Sequence, residues 1–324
     1  MRIILSRTDS IGDVVLTLPM AGVLKQSIPG CTVIFLGRNY TRPVIEACEH
    51  IDEFVEWPIR GEGKLPPADI IIHVFPVKEI CRAAKRARIP QRIATAGRFF
   101  TWTTCNRLIH IPRKNSDLHE AQLNLKMLKA LGIDREFTIE EIAGLYGLEN
   151  APGIPGPGQP ASTEGRKSVI LHPGSKGSAR EWGLDNFSRL IDLLPAEKYE
   201  ILVTGTAEEG NLMRSFLDKH RERITDMTGK LSLSELMGLI ARCDGLVAAS
   251  TGPLHLAAAF GRRAVGIYAP MRPIFPARWK PLGPRSTYLV LDKNCSDCRK
   301  TMDCACIRSI RPEDVAEKLA NPHL

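Results

Sequence analysis

The chain has 324 residues, of which 44% are hydrophobic and 25% charged, with a formal net charge of +8 and a sequence pI near 9.1. That composition is ordinary for a soluble globular protein with a sizeable core and room for two domains. No apolar run approaches the roughly 18–20 residues of a membrane span, and Met1–Leu5 is too short for a signal peptide, so the expected location is cytoplasmic. The basic excess leaves nucleic acid, anionic membrane surfaces and polyphosphorylated ligands as partners to weigh.

In chain order, β-rich apolar runs predict strands over 2–6, 32–37, 70–74 and 92–94, and helical patterns fall over 13–27, 41–50, 76–88 and 117–131. This is βαβ alternation. After the first strand comes Arg7-Thr8-Asp9-Ser10-Ile11-Gly12-Asp13. Gly12 permits a tight turn, and Asp13 at the helix start reads either as a helix cap or as a general base at a strand's carboxyl end. From Lys78 to Lys114 the sequence carries ten lysines and arginines, among them Arg82, Arg86 and Arg88, against the single acid Glu79. A solvated helix face and a surface for an anionic partner are both open readings of that run. It is accompanied by no zinc-finger, RNA-binding or helix-turn-helix signature, and nucleic acid is therefore not the expected partner.

Residues 151–165 hold four prolines and four glycines without periodicity and predict an exposed linker. It would separate an N-terminal Rossmann-like domain, 1–150, from a C-terminal one, 166–324. The second half repeats the alternation, with strands predicted at 168–172, 200–204, 245–248, 264–268 and 287–291 and helices near 185–195, 207–220, 232–242 and 253–260. Parallel sheets covered by helices bind ligands beyond the carboxyl ends of their strands, and two such domains predict a cleft.

Three loops of the second half carry candidate chemistry. Ser250-Thr251-Gly252-Pro253-Leu254-His255-Leu256 leads from a strand into a small-residue helix. Gly252 allows close backbone approach, Pro253 suits a first turn that needs no amide hydrogen, and the free amides with the helix dipole attract a diphosphate. His255 reads either as a satisfied helix histidine or as a diphosphate or donor contact. The loop 173–182 sets glycines and the hydroxyl of Ser175 beside Lys176 and Arg180, as in a phosphate nest, although it is not a Walker A loop. Thr204-Gly205-Thr206-Ala207-Glu208-Glu209 opens another helix, where the glutamates read as dipole-favoured acids or as ribose ligands.

Taken together, S-R-T-D-S-I-G-D-V-V-L-T-L-P at 6–19, L-H-E-A-Q-L-N-L-K-M-L-K-A-L-G at 118–132, L-H-P-G-S-K-G-S-A-R-E-W at 171–182, V-T-G-T-A-E-E at 203–209 and S-T-G-P-L-H-L-A-A-A-F-G at 250–261 resemble the glycosyltransferase family 9 heptosyltransferases, which build the lipopolysaccharide inner core. The resemblance spans essentially the whole chain. It implies an α/β GT-B fold of two Rossmann-like domains, the first holding acceptor and the second nucleotide-sugar, with no cofactor required for catalysis. It further implies Asp13 as general base in an inverting transfer of heptose from ADP-heptose to Kdo or heptose on lipid A. Arg180 stands where the family has a lysine that steadies the leaving diphosphate. Ser175, Lys176, Thr204, Glu209, Ser250, Thr251, Gly252, Pro253 and His255 are then expected donor contacts, and Gly12, Arg82, Arg86, Arg88 and His119 expected acceptor contacts. An anionic glycolipid acceptor implies peripheral attachment to the inner face of the cytoplasmic membrane.

One departure stands out: many relatives have aspartate where this chain has Ser250, so a carboxylate implicated in donor-sugar binding is missing. A family member with another donor or acceptor, and a catalytically inactive GT-B-like binding protein, are the alternatives. Of nine cysteines, Cys31, Cys48, Cys81, Cys105 and Cys243 are scattered and read as reduced thiols. Cys295, Cys298, Cys304 and Cys306 lie within twelve residues and read as a structural zinc or iron site, or as disulfide or free thiols.

Overall fold

A computed structural model describes residues 1–59, 63–113, 116–148, 165–272, 274–291, 295, 298 and 303–321. The chain divides into two compact units, Met1–Pro152 and Gly153–Leu324. The expected linker, except Gly165, falls outside the described residues.

In the first unit, β1 (Arg2–Ser6), β2 (Thr32–Gly37), β3 (Glu53–Glu56), β4 (Ile70–His73), β5 (Gln91–Thr95) and β6 (Arg107–Ile109) form a sheet of order β3-β2-β1-β4-β5-β6. In the second, β7 (Lys167–His172), β8 (Tyr199–Val203), β9 (Ile224–Asp226), β10 (Gly245–Ala249), β11 (Arg263–Tyr268) and β12 (Ser286–Val290) form a sheet of order β12-β11-β10-β7-β8-β9. Every pairing is parallel. Read outward from its first strand, each sheet has the same Rossmann order, and the chain reverses direction between β1 and β4 and again between β7 and β10.

The central strands are near-continuous apolar runs because helices cover both faces; Ile3, Ile4 and Leu5 of β1 and Leu246, Val247 and Ala248 of β10 are fully buried. Edge strands β3, β6 and β9 gave no such run. Each pairs on one side only and keeps charged residues such as Glu53, Glu56, Arg107 and Asp226, which sequence patterning reads as loop.

Three predicted helices are interrupted, among them 207–220, which breaks at Met213 into Ala207–Leu212 and Arg214–Lys219. The stretch 13–27 is split into Ile11–Val15 and Leu18–Ser27, because Pro19 has no amide hydrogen and fits only the first turn of a new helix. The stretch 117–131 becomes the helix Glu120–Leu125 followed by the 3-10 turn Lys126–Leu131, which ends at Gly132 with φ of 82°.

Candidate active site

In doubly wound sheets the binding crevice opens beyond the carboxyl ends of the strands where the chain reverses. In the first unit that point is the end of β1, and Arg7 occupies it. Arg7 is only 3% exposed; its guanidinium donates to Asp9 at 2.6 Å and to Asp13, and lies 3.6 Å from Glu120. Glu120, also 3% exposed, pairs in addition with Arg113, which donates to Asn124 at 3.1 Å. Asn124 in turn donates to the Leu16 carbonyl at 3.0 Å. Burial works against the Arg7 cation, but the three carboxylates override it and raise its pKa. Burial raises the Asp9 carboxyl, helped by Asp13 and opposed by Arg7.

Asp13 is the third residue of the helix Ile11–Val15, not its cap. Ser10 has the cap position, and its exposed hydroxyl donates to Asp13 Oδ2 at 2.6 Å. With 17% of its side chain exposed, Asp13 has one oxygen fixed by Arg7 and the other held by a small hydroxyl. Gly12 is buried behind it. Sequence reasoning missed the parts Arg7 and Glu120 play.

His119 caps the helix Glu120–Leu125. It is 1% exposed, its Nδ1 accepts from the Ala121 amide at 3.2 Å, and its own amide donates to Gln122 at 3.0 Å in a capping box. The cap uses Nδ1 alone, so an acceptor contact through this ring would fall to Nε2. Arg82, Arg86 and Arg88 are exposed on and just beyond the helix Lys78–Arg86. The basic run divides around them: Lys85 donates to the Thr103 carbonyl at 2.8 Å, and Arg92 to the carbonyls of Thr104 and Ile89 at 2.8 and 2.6 Å.

The second unit's reversal point lies between β7 and β10. In the loop after β7, a Cβ at Gly174 would stand 2.3 Å from Glu209 Oε1; glycine is there to admit the carboxylate. Glu209 Oε2 accepts from the Thr206 amide and hydroxyl at 2.8 and 3.0 Å, while Oε1 is buried with no hydrogen-bond partner. The helix-start and ligand readings of Glu209 are therefore compatible, one oxygen for each.

Ser175 is 5% exposed and committed inside its loop: its hydroxyl donates to the Ala179 carbonyl at 3.0 Å and its amide to Glu181 at 2.9 Å. Lys176 is exposed and has φ of 47°, next to Gly177 at 77°, a left-handed pair that turns the loop sharply. Arg180 is half-buried, and its Nε donates to the Cys298 carbonyl at 3.0 Å. After β10, Thr251 caps the helix Gly252–Ala259 by position without a side-chain bond, Pro253 lies in its first turn, and the buried Thr251 hydroxyl has no partner. His255 is 2% exposed one turn in, and the Tyr268 hydroxyl, which donates to the Trp279 carbonyl, lies beside Ser250.

Thr204 is buried and its hydroxyl lies 2.9 Å from His172 Nδ1. Burial pushes His172 down to about 4, with Glu209 opposing and Lys176 assisting. The folded state therefore keeps the ring neutral where the unfolded state protonates. Its contribution, on the order of 3 kcal/mol, is fully present above about pH 6.5 and is lost as pH falls toward 4. Melting curves across that window should be flatter for His172→Asn than for the native chain; parallel pH dependence would assign the acid sensitivity elsewhere.

The cysteine segment packs against this site. Sulfurs of Cys295, Cys298 and Cys306 lie within 4.8 Å of one another, and Cys304 Sγ is 2.9 Å from Cys298 Sγ. Sulfurs around a tetrahedral zinc stand about 3.8 Å apart, so small adjustments of these thiols fit a metal.

Two Rossmann-like units, each with candidate residues at its own reversal point, have the architecture of the GT-B class. A family model for glycosyltransferase family 9 (heptosyltransferase) matches residues 129–306, more than half of the chain. Lipooligosaccharide heptosyltransferase 2 of Haemophilus influenzae is 22% identical over 323 residues, covering 90% of this chain and 89% of its own length. Among solved structures, E. coli heptosyltransferase WaaC with ADP aligns at a TM-score of 0.76 and 17% identity over 98% of both chains. TibC, an iron-containing dodecameric glycosyltransferase of enterotoxigenic E. coli, aligns at 0.57 and 14% identity over 98% of this chain and 74% of its own. The chain belongs to glycosyltransferase family 9, the heptosyltransferases.

Proposed function

We propose that this enzyme transfers heptose, with inversion, from ADP-heptose to an anionic inner-core acceptor of lipopolysaccharide, Kdo or heptose on lipid A. The observation that carries the donor half is the pair of buried, unpartnered oxygens, Glu209 Oε1 in the first turn of the helix after β8 and Thr251 Oγ1 at the helix start after β10. A buried polar atom left unpaired costs about 1–3 kcal/mol, which a ribose hydroxyl on the one and a phosphate on the other would remove. In this reading the first amides of the helix Gly252–Ala259 take the diphosphate, Arg180 neutralises it as it leaves, and Asp13 removes the proton of the attacking acceptor hydroxyl.

The exposed Arg82, Arg86 and Arg88 suit an anionic glycolipid and the bilayer surface that carries it, which supports peripheral attachment at the inner face of the cytoplasmic membrane. No described helix is long and apolar enough to cross a membrane. Zinc or iron on Cys295, Cys298, Cys304 and Cys306 has a structural role in this proposal, holding the backbone that orients Arg180.

Thermal unfolding with a panel of nucleotides tests the donor. ADP and ADP-heptose at about 100 times Kd should stabilise the protein by about 2.7 kcal/mol, with UDP and GDP sugars inert, and mass spectrometry should then find heptose on Kdo-lipid A. Ser250 favours a second reading, a different donor sugar, because its hydroxyl brings no charge where relatives carry a carboxylate. Stabilisation by ADP and by another ADP-sugar, but not by ADP-heptose, would select that reading; silence across the panel would overturn both.

A further inference from the structure

The first unit contains a second group of soft ligands, outside every motif of the transferase site. His73 ends β4, Cys81 lies in the helix Lys78–Arg86, and Cys105 follows the helix Phe99–Thr104. One ligand atom from each falls within 4.8 Å of those of the other two. His73 and Cys81 are fully buried and Cys105 is 8% exposed. Both ring nitrogens of His73 are buried without a hydrogen-bond partner, although an imidazole in a closed core ordinarily finds one. Ala94 lies beside the two cysteines, with Phe100 and Leu108 packed against them.

From this geometry we infer that His73, Cys81 and Cys105 form a zinc site, separate from the C-terminal cysteine cluster. Zinc takes imidazole nitrogen at about 2.0–2.1 Å and thiolate sulfur at about 2.3 Å, so the three atoms need close only slightly around the ion. Charge selects a divalent ion: binding releases two thiol protons, and two thiolates with one Zn²⁺ make a neutral assembly, the form a buried site accepts. Thr104 Oγ1, 3.8 Å from the Cys105 sulfur, can take the fourth position or hold a water there. Closed in this way the site is structural. It ties the helix that carries Arg82 and Arg86 to the strand beside β1, and it does so whichever sugar the enzyme transfers.

Zinc content of the full chain, purified without a histidine tag under reducing conditions, tests the site. Cys81→Ser/Cys105→Ser should carry one equivalent less zinc than the native chain, and a chain with serines at 295, 298, 304 and 306 should retain one. Co²⁺ loaded into that four-serine chain should show a thiolate-to-metal charge-transfer band that His73→Ala shifts or abolishes. Equal zinc in the native chain and the Cys81/Cys105 variant would overturn the site, a comparison that stands even if the four-serine chain does not fold. Recovery of a Cys81–Cys105 disulfide from the native, metal-replete sample would overturn it too.

Discussion

Asp13→Asn is expected to lower turnover about 10²–10⁴-fold, the range lost with a positioned general base, while leaving the fold and donor binding in place. Asparagine is isosteric, keeps an oxygen for Arg7 to bond while its amide NH2 donates to the Ser10 hydroxyl, and leaves Arg7 paired with Asp9 and Glu120; what it lacks is a site for the acceptor's proton. The geometry also suggests how the acceptor enters. Arg7 holds one carboxylate oxygen from a buried position, whereas the Ser10 hydroxyl on the other is exposed and can turn away, and in the proposed reaction the acceptor hydroxyl would take its place. Single-turnover rates should fall while stabilisation by ADP stays at the native value. Turnover within a few-fold of native would remove Asp13 as base and leave it as the anchor of Arg7.

Arg180→Ala is expected to lower kcat by about 10²–10³-fold, the scale of one donor lost from a preorganised charge-stabilising site, with a smaller effect on the donor's KM. Charge builds on the bridging oxygen only as the glycosidic bond breaks, so the cation matters most in the transition state. Arg180→Lys should recover activity to within about tenfold, since an ammonium supplies the charge without the planar fork. A lysine cannot reproduce the Nε bond to Cys298, so any residual deficit reports on positioning. If Ala and Lys lose activity equally, the side chain serves to join the loop to the cysteine segment and not to neutralise the leaving group.

The sequence disclosed what is local and repetitive. Runs such as Ile70-Ile71-Ile72 announce central strands because burial on both faces leaves little choice of residue. The loop 250–256 announces a helix start because a Gly-Pro pair needs no distant partner. What it hid is long-range. Arg7 and Glu120 lie 113 positions apart, and an ion pair in the core leaves no periodic trace. Arg180 and Cys298 are separated by 118 positions. Gly174 read as part of a phosphate nest, while in the fold it makes room for Glu209, a steric need that only the neighbouring loop creates. Pro19 was the exception: a local signal in plain view within a helical pattern strong enough to mask it.

The shared strand order of the two sheets gives each half of the chain its own reversal point, assembled from its own strands and loops. Under the proposed division of acceptor and nucleotide between the halves, acceptor choice would drift by edits to the loops after β1 and β4 while the loops after β7 and β10 stay under separate selection. Exchanging the first 148 residues for those of a relative should accordingly transplant acceptor preference and leave nucleotide preference with the recipient, a modularity that would let one ancestral transferase diversify along a growing oligosaccharide.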